Sequence, residues 1–242
     1  MQRLDLGDRV ALEPAARLRV SGFAGDTLVR RALDALAERA GVQPHWHARL
    51  TKRIPVASGL GGGSSDAATA LRLANSTLAR PLPAAELDGL AAELGADVPF
   101  FLRSGPQLGT GAGSTLEPLD LPQDFWVVLL LPAGIVKRST GAVYQDFDER
   151  GGETGFAERR AALDDALAGV RTAADLAALP RNDLAASPLA AELERVGAFR
   201  ADVTGAGPAV YGLFLQRAEA DAAARALRPA GRTWLTAPCW YG

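Results

Sequence analysis

The run Lys52-Arg53-Ile54-Pro55-Val56-Ala57-Ser58-Gly59-Leu60-Gly61-Gly62-Gly63-Ser64-Ser65-Asp66 places four glycines within five positions, directly ahead of two serines. Glycines let successive backbone N–H groups converge on one point and let an anion approach without Cβ clashes. The alanine- and leucine-rich stretch from Ser64 to Leu78 reads as a helix, whose free N–H groups and positive dipole end add to that attraction. The chemistry expected is capture of the phosphates of a nucleoside triphosphate by Gly59, Leu60, Gly61, Gly62, Gly63, Ser64 and Ser65. The serine hydroxyls suit phosphate oxygens or the hydration shell of Mg²⁺, and Pro55 stiffens the approach. A flexible linker does not fit between a strand and an alanine-rich helix. No Lys-Ser/Thr follows the glycines, so this is not a Walker A loop. Ser64 stands where a Rossmann fingerprint needs its third glycine.

Other side chains have chemistry and a plainer alternative. Asp97, after Gly95 and before Val98-Pro99, suits acceptance of a hydroxyl proton during phosphoryl transfer; taken alone, it reads as a turn or capping aspartate. Lys52 is a nucleotide contact or a solvated strand-end lysine. Asp66, on the first turn of the phosphate helix, would repel phosphates unless a metal or Lys52 intervened, so a structural role comes first. Thr140 is a substrate contact, a helix N-cap, or both. Thr204-Gly205-Ala206-Gly207-Pro208 lies between two predicted strands and is locally adequate as a hairpin turn. His45 and His47 flank Trp46 and share one side of a predicted strand; two histidines make a weak metal site, and no protein metal site is expected.

These residues need elements to hold them. Arg17–Val20 and His47–Ile54 alternate as half-buried strands do, and Leu4–Leu12 reads as strand, turn, strand. Leu28, Val29, Ala32, Leu33 and Leu36 have helical spacing behind Asp26 as N-cap. Ala84–Leu94 is a second helix, with Gly95 as a left-handed C-cap. A proline-bearing linker over Pro118–Asp124 separates a second half. Stripped of extra helices, that half reads β-α-β-β-α-β, the ferredoxin-like split unit. The expected architecture is α+β in two domains, 1–122 and 123–242, with a ligand cleft between them.

Bulk properties narrow the partners. The 26 basic and 28 acidic residues of this 242-residue chain give a formal charge of −2, which disfavours nucleic acid and anionic membrane. It also disfavours a ribosomal-protein-like RNA binder. A single cysteine, Cys239, makes no internal disulfide and fits a reducing cytoplasm. No apolar run reaches membrane-spanning length, and Met1–Asp5 is too polar for a signal peptide. Monomer and homodimer are both open.

The stretch from Pro55 through Gly59-Leu60-Gly61-Gly62-Gly63-Ser64-Ser65-Asp66-Ala67-Ala68 resembles motif 2 of the GHMP kinases. Lys52-x-Ile54-Pro55 ahead of it and Leu94-Gly95-Ala96-Asp97-Val98-Pro99-Phe100-Phe101 after it extend the match. So do Ser139-Thr140 with Tyr144, Asn182-Asp183-Leu184 and the late glycine turn, so the resemblance covers nearly the whole chain. It implies a first domain like the second domain of ribosomal protein S5 and a ferredoxin-like second domain with extra helices. It implies Mg²⁺-ATP across the loop, with Lys52 and Pro55 beside it, and Asp97 as base. Thr140 would meet the polyol, and Thr204, Gly205 and Gly207 would form motif 3 near the phosphates or behind the loop.

The acceptor implied is the 2-hydroxyl of 4-diphosphocytidyl-2-C-methyl-D-erythritol, in the non-mevalonate route to isoprenoid precursors. The alternatives are another small alcohol or a nucleotide-binding homologue with impaired catalysis. Family members begin with a further segment, whose Pro-Ala-Lys-x-Asn-Leu-like strand pairs a lysine with the catalytic aspartate. An Asp-Gly-Tyr-His-like stretch holds the cytosine. Met1–Leu12 matches neither, so the expectation is a start placed about thirty to forty residues late, the size of a supersecondary unit.

Overall fold

The computed structural model describes residues 1–25, 27–113, 115–135 and 139–239. Asp26, the expected cap of the first helix, lies outside them. The chain divides into two units. One comprises Met1–Val56 and Gly61–Leu119; the other comprises Ala57–Leu60 and Asp120–Cys239. The glycine loop is therefore shared in sequence: its first limb belongs to the second unit and its helical limb to the first.

In the first unit, strands β1 (Arg9–Pro14), β2 (Arg19–Ser21) and β3 (Trp46–Thr51) form a sheet in the order β1-β3-β2. β3 runs antiparallel to β1 and parallel to β2. Its alternation is clean: Trp46, Ala48 and Leu50 are buried, while Arg49 and Thr51 face out. The period-two side-chain geometry of a strand makes one face apolar. Helix α1 (Leu28–Ala40) covers that face with Val29, Ala32, Leu33, Leu36 and Ala37, and ends on Gly41 at φ 66°. Helix α2 (Gly62–Thr77) packs beside it through Ala67, Ala68, Ala70, Leu71 and Ala74. Four alanines on one face let the helix backbones approach closely. Helix α3 (Ala84–Leu94), a 3₁₀ turn at Pro99–Leu102 and the hairpin β4 (Gln107–Thr110) and β5 (Thr115–Pro118) complete the unit.

Four local expectations are corrected. The strand expected at Leu4 is a single bridge before β1. His45 precedes β3 and is exposed, so the two histidines do not share a strand face. Gly95 does not adopt the left-handed conformation: its φ of 165° is extended backbone. The chain must turn at once into the 3₁₀ segment, closed by Val98 N–H donating to Gly95 O at 3.0 Å, and an extended residue serves that geometry. The phosphate helix begins at Gly62 rather than Ser64, because Gly62 and Gly63 are themselves helical.

The second unit holds β6 (Trp126–Pro132), α4 (Thr140–Glu149), α5 (Phe156–Gly169), α6 (Pro188–Arg195), β7 (Arg200–Val203), β8 (Val210–Phe214), α7 (Arg217–Ala226) and β9 (Gly231–Thr236). The segment Ala173–Ala178 is a 3₁₀ helix. The sheet order β7-β8-β6-β9, antiparallel throughout, is that of the ferredoxin-like split unit. Val128, Leu130, Leu193, Val210, Phe214 and Ala220 form its core. Helices α4 and α5, inserted in the β6–β7 crossover, bury no residue. Among the described residues no helix is long and apolar enough to cross a membrane.

Candidate active site

The approach to the loop is held by three charges. Asp8, in the segment before β1, accepts hydrogen bonds from the backbone N–H groups of Arg53 at 2.5 Å and Ile54 at 2.9 Å. Its other carboxylate oxygen pairs with Lys52 Nζ. Lys52 also pairs with Asp66 on the first turn of α2 at 2.6 Å. Both carboxylates are buried, and the lysine side chain is 16% exposed. Burial is the largest influence on Lys52 and acts to lower its pKa. The hydrogen bonds and charges of Asp66 and Asp8 together outweigh it, so the ammonium sits above its ordinary value. Asp66, read from the sequence as structural unless a metal or Lys52 intervened, is engaged by that lysine. Nothing in the local sequence marks Asp8 for this position.

From Pro55 the backbone leaves regular structure. Ala57 takes φ 58°, a left-handed conformation costly for a residue with a Cβ. Gly59 follows at φ 81°, where a Cβ would lie 2.7 Å from Gly207 O and 2.9 Å from Thr204 O. Those atoms belong to the late glycine turn, which sits against the loop's first limb in the second unit. Thr204 Oγ1 donates to Gly59 O at 3.2 Å, and Ala209 N–H donates to Ser58 O at 3.1 Å. Thr204, Gly205 and Gly207 thus lie behind Ser58 and Gly59 and brace the loop.

Gly61, at φ 66°, is the N-cap of α2, and no side chain caps the helix. Ser65 N–H makes the first helical bond, to Gly61 O at 2.9 Å. The N–H groups of Gly62, Gly63 and Ser64 come before it and find no partner among the described residues, as the first turn of an uncapped helix leaves them. The ring of Phe101 lies close to Gly61, and Ile54 close to Gly62. At Gly63, by contrast, a Cβ would meet nothing within 4 Å. Protein packing does not demand glycine there, whereas close approach of an anion to the helix N-terminus does.

Asp97 is exposed in the turn between α3 and the 3₁₀ segment, between Ala96 and the fully buried Val98. Its carboxylate has no hydrogen bond or ion pair among the described residues. Pro99 and Phe100 beyond it are buried, so an exposed carboxylate is carried on an anchored turn. Phe101, two residues past Pro99, ties that turn to Gly61. Thr140 opens α4 and is exposed, but the cap is Ser139, whose Oγ accepts Ala142 N–H at 3.1 Å. The Thr140 hydroxyl has no partner among the described residues.

The GHMP kinase N-terminal domain model matches residues 27–105, and the GHMP kinase C-terminal model matches residues 177–232. A protein of Chlorobium phaeobacteroides named 4-diphosphocytidyl-2-C-methyl-D-erythritol kinase is 36% identical over 87% of this chain and 76% of its own length. The chain belongs to the GHMP kinase family. A protein of the same name from Geobacter sulfurreducens is 34% identical to this GHMP kinase over 98% of the chain and 87% of its own length. A crystal structure titled 4-(cytidine 5′-diphospho)-2C-methyl-D-erythritol kinase superposes with a TM-score of 0.76 at 31% identity, covering 99% of this chain and 88% of that one. In this GHMP kinase the first matched segment contains both the uncapped glycine helix and Asp97, and the second contains the turn that braces Gly59.

Proposed function

We propose that this GHMP kinase transfers the γ-phosphoryl group of ATP to the 2-hydroxyl of 4-diphosphocytidyl-2-C-methyl-D-erythritol, feeding isoprenoid precursor synthesis. The observation that carries the reading is the shared name of the relatives matched over nearly the whole chain. The uncapped start of α2 supports it physically. Three free N–H groups, a dipole end and an open face at Gly63 form an anion site needing no basic side chain. The loop residues Gly59, Leu60, Gly61, Gly62, Gly63, Ser64 and Ser65 would hold the triphosphate, with Pro55 and Lys52 fixing their approach.

The residues present fit Mg²⁺ arriving on the triphosphate. Among the described residues no group of three His, Cys, Asp or Glu side chains forms a cage, and Asp66 is engaged by Lys52. The hydroxyls of Ser64 and Ser65 are the loop's groups suited to the ion's hydration shell, and the ion would neutralise phosphate charge. Asp97 takes the acceptor hydroxyl proton; with no partner among the described residues, the carboxylate is available. Thr140 hydrogen-bonds the polyol, and Thr204, Gly205 and Gly207 serve by bracing the loop. The first unit carries the nucleotide-binding domain, and a cytoplasmic location suits an ATP-consuming step. Incubation of the purified protein with ATP and this substrate should yield ADP and the 2-phosphate. No turnover from folded protein would overturn the reading.

A further inference from the structure

The segment Asn182-Asp183-Leu184 lies far in sequence from every residue assigned a role above, yet Asn182 is fully occupied. Its side-chain N–H₂ donates to Val203 O at 3.0 Å and Gly205 O at 2.8 Å. Its side-chain oxygen accepts from Leu184 N–H at 2.9 Å and Ala185 N–H at 3.4 Å. Its own backbone N–H donates to the buried Asp202 carboxylate at 2.8 Å. Two carbonyls on one side and two N–H donors on the other fix which way the amide faces. The segment is itself held from the far side, since Arg159 pairs with Asp183 at 2.8 Å and Arg150 donates to the carbonyls of Asp183 and Leu184.

Val203 and Gly205 flank Thr204, whose hydroxyl bonds Gly59 O. Asn182 therefore clamps both sides of the residue whose hydroxyl bonds Gly59 O. We propose that Asn182 is a positioning residue for ATP: it sets the Thr204–Gly205 backbone, and through the Thr204 hydroxyl it sets the Ser58–Gly59 limb. The inference rests on Gly59–Ser65 being the ATP loop. An amide is required because the turn presents carbonyls, and a carboxylate of the same shape would face them with acceptors only.

The test is ATP affinity, measured by titration calorimetry on the full chain without the alcohol, together with thermal melting. Asn182→Asp keeps the bonds from Leu184 and Ala185 and loses both donors to the turn; ATP affinity should fall about tenfold. Thr204→Val removes the next link and should do the same. Because the two act in series, the double variant should bind ATP within about twofold of the weaker single variant, a non-additivity expected of one shared path. Ser187→Ala, which removes the cap of α6, provides the contrast: a lower melting temperature with unchanged ATP affinity. If Asn182→Asp fails to fold, Thr204→Val carries the test. Wild-type affinity in either single variant, or multiplying effects in the double, overturns the proposal. A wild-type protein that does not bind ATP overturns the kinase reading instead.

Discussion

Replacing Gly63 by Ala should move stability and ATP binding in opposite directions. Gly63 is the second residue of α2, helical and exposed, and a Cβ there meets no protein atom within 4 Å. Alanine narrows the unfolded ensemble and favours the helix, a gain of about 0.4–1 kcal/mol where the backbone already fits. For a chain of this size that raises the melting temperature by roughly 1–4 °C. The same methyl group occupies the space where a phosphate must approach the N–H groups of Gly63 and Ser64. Losing that close contact should raise KM for ATP at least about tenfold, equivalent to about 1.4 kcal/mol. Gly59→Ala is the counterpart: at φ 81°, with backbone oxygens 2.7 and 2.9 Å from the new Cβ, it should lower both stability and ATP affinity. Differential scanning calorimetry and steady-state kinetics on both variants decide the matter. A Gly63→Ala protein that melts higher and keeps its KM for ATP would refute phosphate binding at this helix.

Asp97→Asn should lower kcat about 10²–10⁴-fold, the usual range for a lost general base. KM for ATP and the melting temperature should stay near wild type, because the carboxylate bonds no other group among the described residues. Lys52→Met takes the ammonium away from the buried Asp8 and Asp66 carboxylates, and at neutral pH should cost about 3–5 kcal/mol in urea unfolding. Since the folded-state pKa of Lys52 is raised, its contribution is complete below the unfolded lysine value of about 10.4 and is lost only as pH climbs through the higher folded value. Urea midpoints between neutral and strongly alkaline pH should therefore fall more steeply for wild type than for Lys52→Met. Thr140→Val should raise KM for the alcohol and spare the melting temperature. Ser139→Ala, which removes the cap, should lose about 1 kcal/mol of stability.

What was legible in the sequence was whatever is governed by near neighbours. The apolar spacing of Leu28 to Leu36 gave α1, and the alternation around Ala48 gave β3. The spacing of elements after Phe125 gave the split unit of the second half. The phosphate loop was visible because glycine density and helix onset lie together in the chain. Asp8 was hidden because Lys52 is 44 residues away in sequence, and nothing local marks a carboxylate that will receive two backbone N–H groups. Local propensity puts the start of α2 at Ser64 because glycine is a poor helix former in isolation, yet here Gly62 and Gly63 are helical in a helix anchored by Leu71 and its alanines. Gly95 followed the local rule for helix ends until the demands of the Pro99 turn overrode it. Thr140 and Ser139 are adjacent, and only the hydrogen bond from Ala142 distinguishes the cap from the free hydroxyl. The bracing role of Thr204 depends on a contact spanning 145 residues.

The most direct measurement is phosphorus NMR of purified protein incubated with ATP, Mg²⁺ and 4-diphosphocytidyl-2-C-methyl-D-erythritol. Kinase action predicts ADP and a new phosphomonoester at the 2-position in equal amounts, both formed about 10²–10⁴-fold more slowly when Asp97→Asn replaces wild type. ADP formation that does not depend on the alcohol, or no new ester from a folded protein, would contradict it.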